Sequence, residues 1–301
     1  MSKLSVVIST YNSEKKIEDC LRSASFADEI IIVDGTSSDA TLKIAKKYTS
    51  KIFIRTNNPM LNINKNFGFS KAKSDWILSL DADERITPEL KTEIESRIKN
   101  HELGINGYWI PRKNIIFGKW MKHTGWYPDH QLRLFRHGKG RFPEEHIHEM
   151  IKITGESGHL LNHITHYNYD TIFQFIQKLM IYAPNEAEQL LKNGYKFQWQ
   201  DAIRMPTKEF LSRFFAREGY KDGFHGLMLS VFMAFYHFVV FSLIWESNHF
   251  EEINNEKFLQ DSEGEFSKAS KDLSFWFGHE KIKNLKNPLK KIIYKIGQKI
   301  N

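Results

Sequence analysis

Residues 76–90 read WILSLDADERITPEL. The apolar run from Trp76 to Leu80 has the length and composition of a buried strand. Thr87-Pro88-Glu89 reads as a helix start, because Thr caps well and Pro suits the first helical turn. Between the two stand Asp81, Asp83 and Glu84. A solvated acidic turn accounts for them in isolation. A divalent-cation site accounts for them if this strand end lies where an α/β sheet gathers its ligands, since Mg²⁺ and Mn²⁺ take carboxylate oxygens together with substrate phosphates. In an extended chain Asp81 and Asp83 point to the same side. The neighbouring segments have to decide between these readings.

Outward from this stretch, short β-branched runs alternate with helical spacing, the signature of a parallel sheet covered by helices. LSVVIS (4–9) is the first strand, and Ile17, Cys20, Leu21 and Ala24 fall on one face of the helix after it. EIIIVD (29–34) is apolar throughout, as expected of a strand buried on both faces. SSDATLKIAKKY is a helix that Ser37 or Ser38 can cap, KIFIR a third strand, NINKNFGFSKAK a helix and DWILSL a fourth strand. Asp34 and Asp81 thus both end strands at the carboxyl edge. From 106 to about 168 strand-like pieces with Gly, Pro, aromatics and His take over; from 170 onward the pattern is helical. The expected architecture is an α/β domain over 1–168 and a mainly helical region over 169–301.

The bulk properties narrow the function. The chain has 301 residues, 41% hydrophobic and 26% charged, as in folded globular proteins. Its single cysteine, Cys20, excludes a disulfide framework and a Cys-rich zinc site. The chain runs from MSK straight into a strand-like segment without an apolar leader, so the expected compartment is cytoplasmic. The net charge of +7 is local: residues 281–301 hold seven Lys and no acidic residue, and the other 280 are neutral overall. A basic tail on a neutral fold argues against a nucleic-acid protein and for an anionic membrane surface as partner.

Four stretches in order, SVVISTYNSEKKIEDCLRS, EIIIVDGTSSDATLKIA, NKNFGFSKAKSDWILSLDADE and WYPDHQLRLFRHGKGRF, resemble family 2 glycosyltransferases of the GT-A fold. More narrowly they resemble the lipopolysaccharide inner-core β-1,4-glucosyltransferase type; the likeness covers residues 3–150, and GYKDGFHGLMLSVFMAFYHFVVFSLIWE resembles the C-terminal part of that subgroup. The resemblance implies a mainly parallel, helix-flanked nucleotide-sugar domain and a divalent cation, Mg²⁺ or Mn²⁺. It implies that Thr10, Tyr11 and Asn12 line the base pocket and that Asp34 accepts a hydrogen bond from the N3–H of a uracil base. Tyr11 as a packing residue, Asn12 as a helix cap and Asp34 as the cap of the turn DGTSSD are the alternatives. Lys65 and Asn66 match a diphosphate-side pair, with an exposed helix lysine as the alternative. Asp81 and Asp83 carry over as ribose and metal carboxylates, Asp83 being the direct ligand. Glu84 departs from the simplest D-x-D pattern.

Asp129 occupies the family's base position, where inverting transfer needs a group to take the acceptor proton. Of Arg133 and Arg136, one is expected on phosphate and the other holding Asp129. In EEHIHEM (144–150), His148 is the candidate third metal ligand beside His146 and Glu149, whereas His163 and His166 read as strand-end packing residues.

Residues 227–245 are nineteen mostly apolar residues, and spanning, buried and interfacial helices all remain open. In the tail, Ile282, Leu285, Leu289, Ile292, Ile293, Ile296 and Ile300 recur at helical spacing among lysines, the pattern of an interfacial helix. Together these features give an expected enzyme, peripheral on the cytoplasmic face of the membrane. It transfers a hexose from a nucleotide-sugar donor, UDP-linked by the resemblance, to a lipid-linked glycan acceptor such as lipopolysaccharide core. A protein or other polysaccharide acceptor and a non-catalytic sugar-nucleotide binder are the alternatives. A sugar nucleotidyltransferase is disfavoured, because STYNSEKKI lacks the glycine-rich loop that class needs after its first strand. Donor sugar, acceptor linkage and oligomeric state are not legible.

Overall fold

The computed structural model describes residues 2–58, 60–100, 104–145, 149–253 and 256–285. The chain divides into two compact units, Met1–Trp120 with Trp126–Asn168, and Met121–Gly125 with Tyr169–Asn301.

The first unit begins with β1 (Leu4–Thr10), α1 (Ile17–Ser23), β2 (Glu29–Asp34), α2 (Thr41–Ala45), β3 (Ile52–Ile54), α3 (Leu61–Lys71) and β4 (Trp76–Asp81). Their strands lie side by side and parallel in the order β3-β2-β1-β4. The unbroken apolar runs are explained by burial on both faces. Val6, Ile8, Ile32 and Leu78 pack with Ile17, Cys20 and Leu21 of α1, while Val7, Ile31 and Ile77 pack on the other face with Phe69 and Ala72. Pairing brings Thr10 opposite Asp34 and Ser9 opposite Asp81, so both aspartates share one edge of the sheet. Neither Ser37 nor Ser38 caps α2. Ser37 is drawn to Asp34, and Asp39 Oδ1 accepts the Thr41 N–H at 2.9 Å instead.

After β4 the chain does not stay extended. It turns at Ala82-Asp83 into β5 (Glu84–Ile86), and α4 (Pro88–Lys99) follows, with Thr87 Oγ1 accepting from Leu90 N at 3.2 Å. The alternation that would put Asp81 and Asp83 on one side is therefore replaced by a turn. Next come β6 (Ile105–Ile116), β7 (Lys119–Trp120), β8 (Asp129–Arg136), β9 (Gly140–Arg141), β10 (Lys152–Ile153), β11 (Glu156–His159) and β12 (Ile164–Tyr169). β8 adds antiparallel to β4 and β6 antiparallel to β8, then β12 and β5 extend the row. The result is a mixed sheet, with a parallel half and a second half built on antiparallel pairs, to which β11 adds parallel to β6.

The second unit contains α5 (Ile172–Lys192), α6 (Asp201–Leu211), α7 (Phe224–Ser247) and α8 (Phe258–Asn284). Thr171 and Gln174 start α5 with a reciprocal capping box. A π-helical turn, Ser212–Ala216, and a short 3-10 turn, Gly219–Asp222, join α6 to α7. α7 has 24 residues, and its most apolar 18-residue stretch has a mean hydropathy of 2.2, so it is long and apolar enough to cross a membrane by length and composition. One of its faces is packed, with Leu229, Met233, Tyr236, Val240 and Ile244 buried at helical spacing. The expected tail helix lies outside the described residues beyond Leu285.

Gly68 sets how closely α3 approaches the sheet, because a Cβ there would stand 2.4 Å from Val7 Cγ1 and 3.0 Å from Val33 Cγ2. Gly68→Leu is expected to cost about 1–3 kcal/mol of stability, read as a lower thermal midpoint. An unchanged melt would contradict this packing.

Candidate active site

At the carboxyl edge of the parallel strands, two loops are tied to each other. Asn12 N donates to Ser37 Oγ and its Oδ1 accepts from Ser38 N, both at 2.8 Å, so Asn12 is a cross-tie rather than a helix cap. Asp34 is fully buried and accepts from Ser37 N at 2.8 Å and Ser37 Oγ at 2.6 Å. The turn-capping alternative therefore holds. Each carboxylate oxygen has a second lone pair, so a further donor can still be accepted. Tyr11 is 46% exposed at this edge, and the buried Thr10 Oγ1 has no hydrogen-bond partner among the described residues. An exposed ring beside an unsatisfied polar atom suits a planar polar ligand.

Beside this edge lies a network of carboxylates and cations. Asp81 Oδ1 receives Lys65 Nζ at 2.6 Å and its Oδ2 receives Arg133 Nη2 at 2.6 Å. Burial pushes the Asp81 carboxyl up, but Arg133 and Lys65 outweigh it and hold the group well below the usual carboxylate range. Glu84 is 0% exposed. Its Oε1 receives Arg133 Nη2 at 2.9 Å and Arg112 Nη1 at 3.3 Å, and its Oε2 accepts the Asp81 N–H at 2.9 Å. The residue that broke the simple D-x-D pattern is thus the buried anchor of the site.

Arg112 continues the network to Asp129. Their strands pair in register, and Arg112 reaches Asp129 Oδ2 through Nη2 at 2.5 Å and Nε at 2.9 Å. Gln131 donates to Oδ1 at 2.9 Å and Asn114 Nδ2 to Oδ2 at 3.3 Å. Burial raises the Asp129 pKa, yet Arg112 and these hydrogen bonds bring it below the ordinary value, so the group is ionised at neutral pH. The expected division of labour between Arg133 and Arg136 fails. Arg133 holds Asp81 and Glu84; Arg136 bonds Ile105 O at 3.2 Å and lies over Trp76. Neither is the partner that holds Asp129, which is Arg112, a residue that sequence reasoning missed.

His166 is a second departure. Asn114 Nδ2 donates to Trp126 O at 2.8 Å, which leaves Asn114 Oδ1 as an acceptor for His166 Nδ1–H at 2.7 Å. That turns His166 Nε2 toward Asp83 Oδ2, 3.5 Å away. His166 is therefore an oriented site residue, whereas His163 packs with Trp120 and Tyr127 as expected. Asn66 spends its amide on the backbone of Phe142 and on Glu144 Oε1, fastening α3 to that loop, so it does not turn to the diphosphate side as the resemblance implied. His148, like His146, lies outside the described residues.

No group of three or more metal-ligating side chains is preassembled among the described residues. Two donors do converge, Asp83 and the Nε2 of His166, and the second ring nitrogen of His166 is hydrogen-bonded as in ligating histidines. Two protein donors suit Mg²⁺ or Mn²⁺ when phosphate oxygens and water fill the other positions. Asp81, Glu84 and Asp129 are paired with Lys65, Arg112 and Arg133.

The sequence matches the model of the family described as Glycosyl transferase family 2 over residues 5–160, more than half of the chain, and the chain belongs to that family. It is a glycosyltransferase of the GT-A type, and the mixed sheet with its helical flanks and helical C-terminal region is that fold. A glycosyltransferase of Rickettsia typhi described as uncharacterized is 30% identical over 255 residues, 79% of this chain and 85% of the relative. The lipopolysaccharide core biosynthesis glycosyltransferase LpsC of Rhizobium meliloti is 26% identical over 254 residues, 81% of this chain and 92% of the relative. The crystal structure of S. aureus TarS matches with a TM-score of 0.41 and 19% identity, over 74% of this chain and 46% of that one, so this chain spans less than half of TarS.

Arg112→Gln should move the acid limb of kcat/KM to higher pH. Removing the adjacent positive charge disfavours ionised Asp129 and raises its pKa, and kcat/KM reports the free enzyme. A limb that stays in place would contradict the Arg112–Asp129 pairing. Glu84→Gln leaves the buried Arg133 and the partly buried Arg112 without their shared carboxylate and should cost about 3–5 kcal/mol in denaturant unfolding; a wild-type unfolding curve would remove Glu84 from its anchoring role.

Proposed function

We propose that the protein transfers a hexose, with inversion, from a UDP-sugar to a hydroxyl of a lipid-linked glycan such as lipopolysaccharide core, at the cytoplasmic face of the membrane and with Mg²⁺ or Mn²⁺. One observation carries this reading: Asp129 and Asp81 belong to a single ion-pair network, joined through Arg112 and the buried Glu84 and Arg133. The group suited to activate an acceptor and the carboxylate beside a leaving diphosphate are therefore held in one frame.

In this reading Thr10, Tyr11 and Asp34 bind the base, and Asn12 keeps the loop in place. Asp83 and His166 are the residues that hold the cation. When bound, the cation supplies a Lewis acid for charge growing on the leaving diphosphate. Lys65, poised on Asp81, is the protein's own cation for the same charge. Asp129 takes the acceptor hydroxyl proton as the oxygen attacks the anomeric carbon from the face opposite the leaving group. The bond from that carbon to the diphosphate oxygen breaks, and UDP departs with its electron pair. One displacement inverts the centre without a sugar–enzyme intermediate. The lipid-linked acceptor is supported by the likeness to LpsC, whose name places that relative in lipopolysaccharide core biosynthesis.

The test is UDP release from UDP-glucose by purified protein with Mn²⁺ and a lipopolysaccharide-core acceptor. Asp129→Asn is expected to lower turnover by about 10²–10⁴-fold, the usual worth of a general base, while calorimetry shows donor affinity within a few-fold of wild type. Chelation with EDTA should abolish turnover, and Mn²⁺ should restore it. Unimpaired Asp129→Asn turnover, or indifference to EDTA, would contradict the mechanism.

A further inference from the structure

At one end of the helical unit, aromatic side chains gather around the end of α8. Phe214, Phe215, Tyr220 and Phe277 line an open groove of about 520 Å³ together with Glu280, Lys281 and Leu285. Phe277 is 48% exposed, and Phe224, just after the Gly219–Asp222 turn that carries Tyr220, is 72% exposed. From Phe224 an apolar row continues along the outer side of α7 through Val231, Phe235 and Phe238, all exposed. These positions recur at heptad-like spacing opposite the packed face of the helix, so the row is continuous rather than scattered. Exposed apolar rows of this extent mark a surface that another phase or molecule covers.

The charge of the sequence that follows α8 identifies the occupant. Tyr220 donates to Glu280 Oε2 at 2.7 Å, and Lys283 Nζ reaches Glu218 Oε1 at 2.8 Å, so the end of α8 is fastened beside the start of α7. Glu218 also pairs with Lys221 at 2.6 Å, so the acidic groups at this end are matched by lysines of the fold itself. The next sixteen residues, 286–301, contain five Lys and no acidic residue, and they begin directly after Leu285 in the groove wall. In the sequence, a run of unbalanced positive charge thus follows directly on the end of the unit that carries the exposed aromatics. A second copy is a poor occupant, because two lysine-rich tails would be brought together. A surface that offers negative charge outside and hydrocarbon beneath fits both features.

We propose that this end of the helical unit, with Phe224, Phe277 and the outer row of α7, is the docking surface for a bilayer containing anionic lipid. The aromatic side chains enter the interface, and the tail lysines meet the headgroups. This rests on the lipid-linked acceptor reading and names the surface that would bring the enzyme to its acceptor.

The test is co-sedimentation of the full chain with vesicles of phosphatidylcholine alone and of phosphatidylcholine with ~30% phosphatidylglycerol, at low and high salt. Binding is expected to anionic vesicles only, and to weaken as salt rises. Phe224→Glu with Phe277→Glu should reduce it tenfold or more. Replacing Lys290, Lys291, Lys295 and Lys299 with Gln should reduce it about a hundredfold or more, since each lysine near an anionic surface is worth about fivefold. Circular dichroism checks that these exposed changes leave the fold intact, and UDP release with soluble acceptor should be unchanged. Loss of vesicle binding with normal turnover keeps the membrane claim separable from the enzymatic one. Equal binding to neutral vesicles, or variants that bind like wild type, would overturn the proposal. So would a dimer in sedimentation velocity that Phe224→Glu dissociates, which would assign the face to a second copy.

Discussion

A carboxylate with no exposure to water organises this site. An unpaired ion in such a place costs several kcal/mol, so Glu84 is tolerated only with its partners in place. Those partners are Arg112, Arg133 and the backbone N–H of Asp81, and each of them also bears on a residue of the proposed chemistry. Arg133 grips Asp81 and Arg112 grips Asp129, so the donor and acceptor sides are oriented by one buried charge. Preorganisation of this kind limits the reorganisation that a displacement reaction would otherwise require.

The mixed sheet makes the network possible. Parallel strands β1, β2 and β4 end together and supply Thr10, Asp34 and Asp81 along one edge. The antiparallel half then inserts β8 beside β4 and β6 beside β8, which carries Arg133, Asp129 and Arg112 to the carboxylates. The turn at Ala82-Asp83 lets Glu84 fold back beneath Asp81, and β12 delivers His166 across from Glu84 in the register with β5. Asn114 lies between the two sides of the site, with its oxygen on His166 and its amide on Asp129.

Much of this was legible in the sequence where the signal is local. The strand EIIIVD, the helix start at Thr87-Pro88 and the parallel half follow from apolar periodicity and capping chemistry, and the four motif stretches point to the family. Arg112 was not legible, because it acts through cross-strand register, and two antiparallel strands separated by a long loop do not declare their alignment. The holder of Asp129 was sought between Arg133 and Arg136 for the same reason. His166 looked like packing because its partners, Asn114 and Asp83, are 52 and 83 positions away in the chain. Ser37 and Asn66 were misread because a polar side chain near a helix has several partners within reach, and tertiary geometry chooses among them.

In the proposed reaction one frame of ion pairs holds a cation-binding side and a proton-accepting side across a single reaction centre. A crystal structure with Mn²⁺ and a non-hydrolysable UDP-hexose analogue is the sharpest test, because anomalous scattering locates the metal without interpretation of side chains. Mn²⁺ is expected on Asp83 and His166 with the diphosphate beside Lys65, and the anomeric carbon facing Asp129. A metal bound away from Asp83, or a sugar whose anomeric carbon faces away from Asp129, would contradict it.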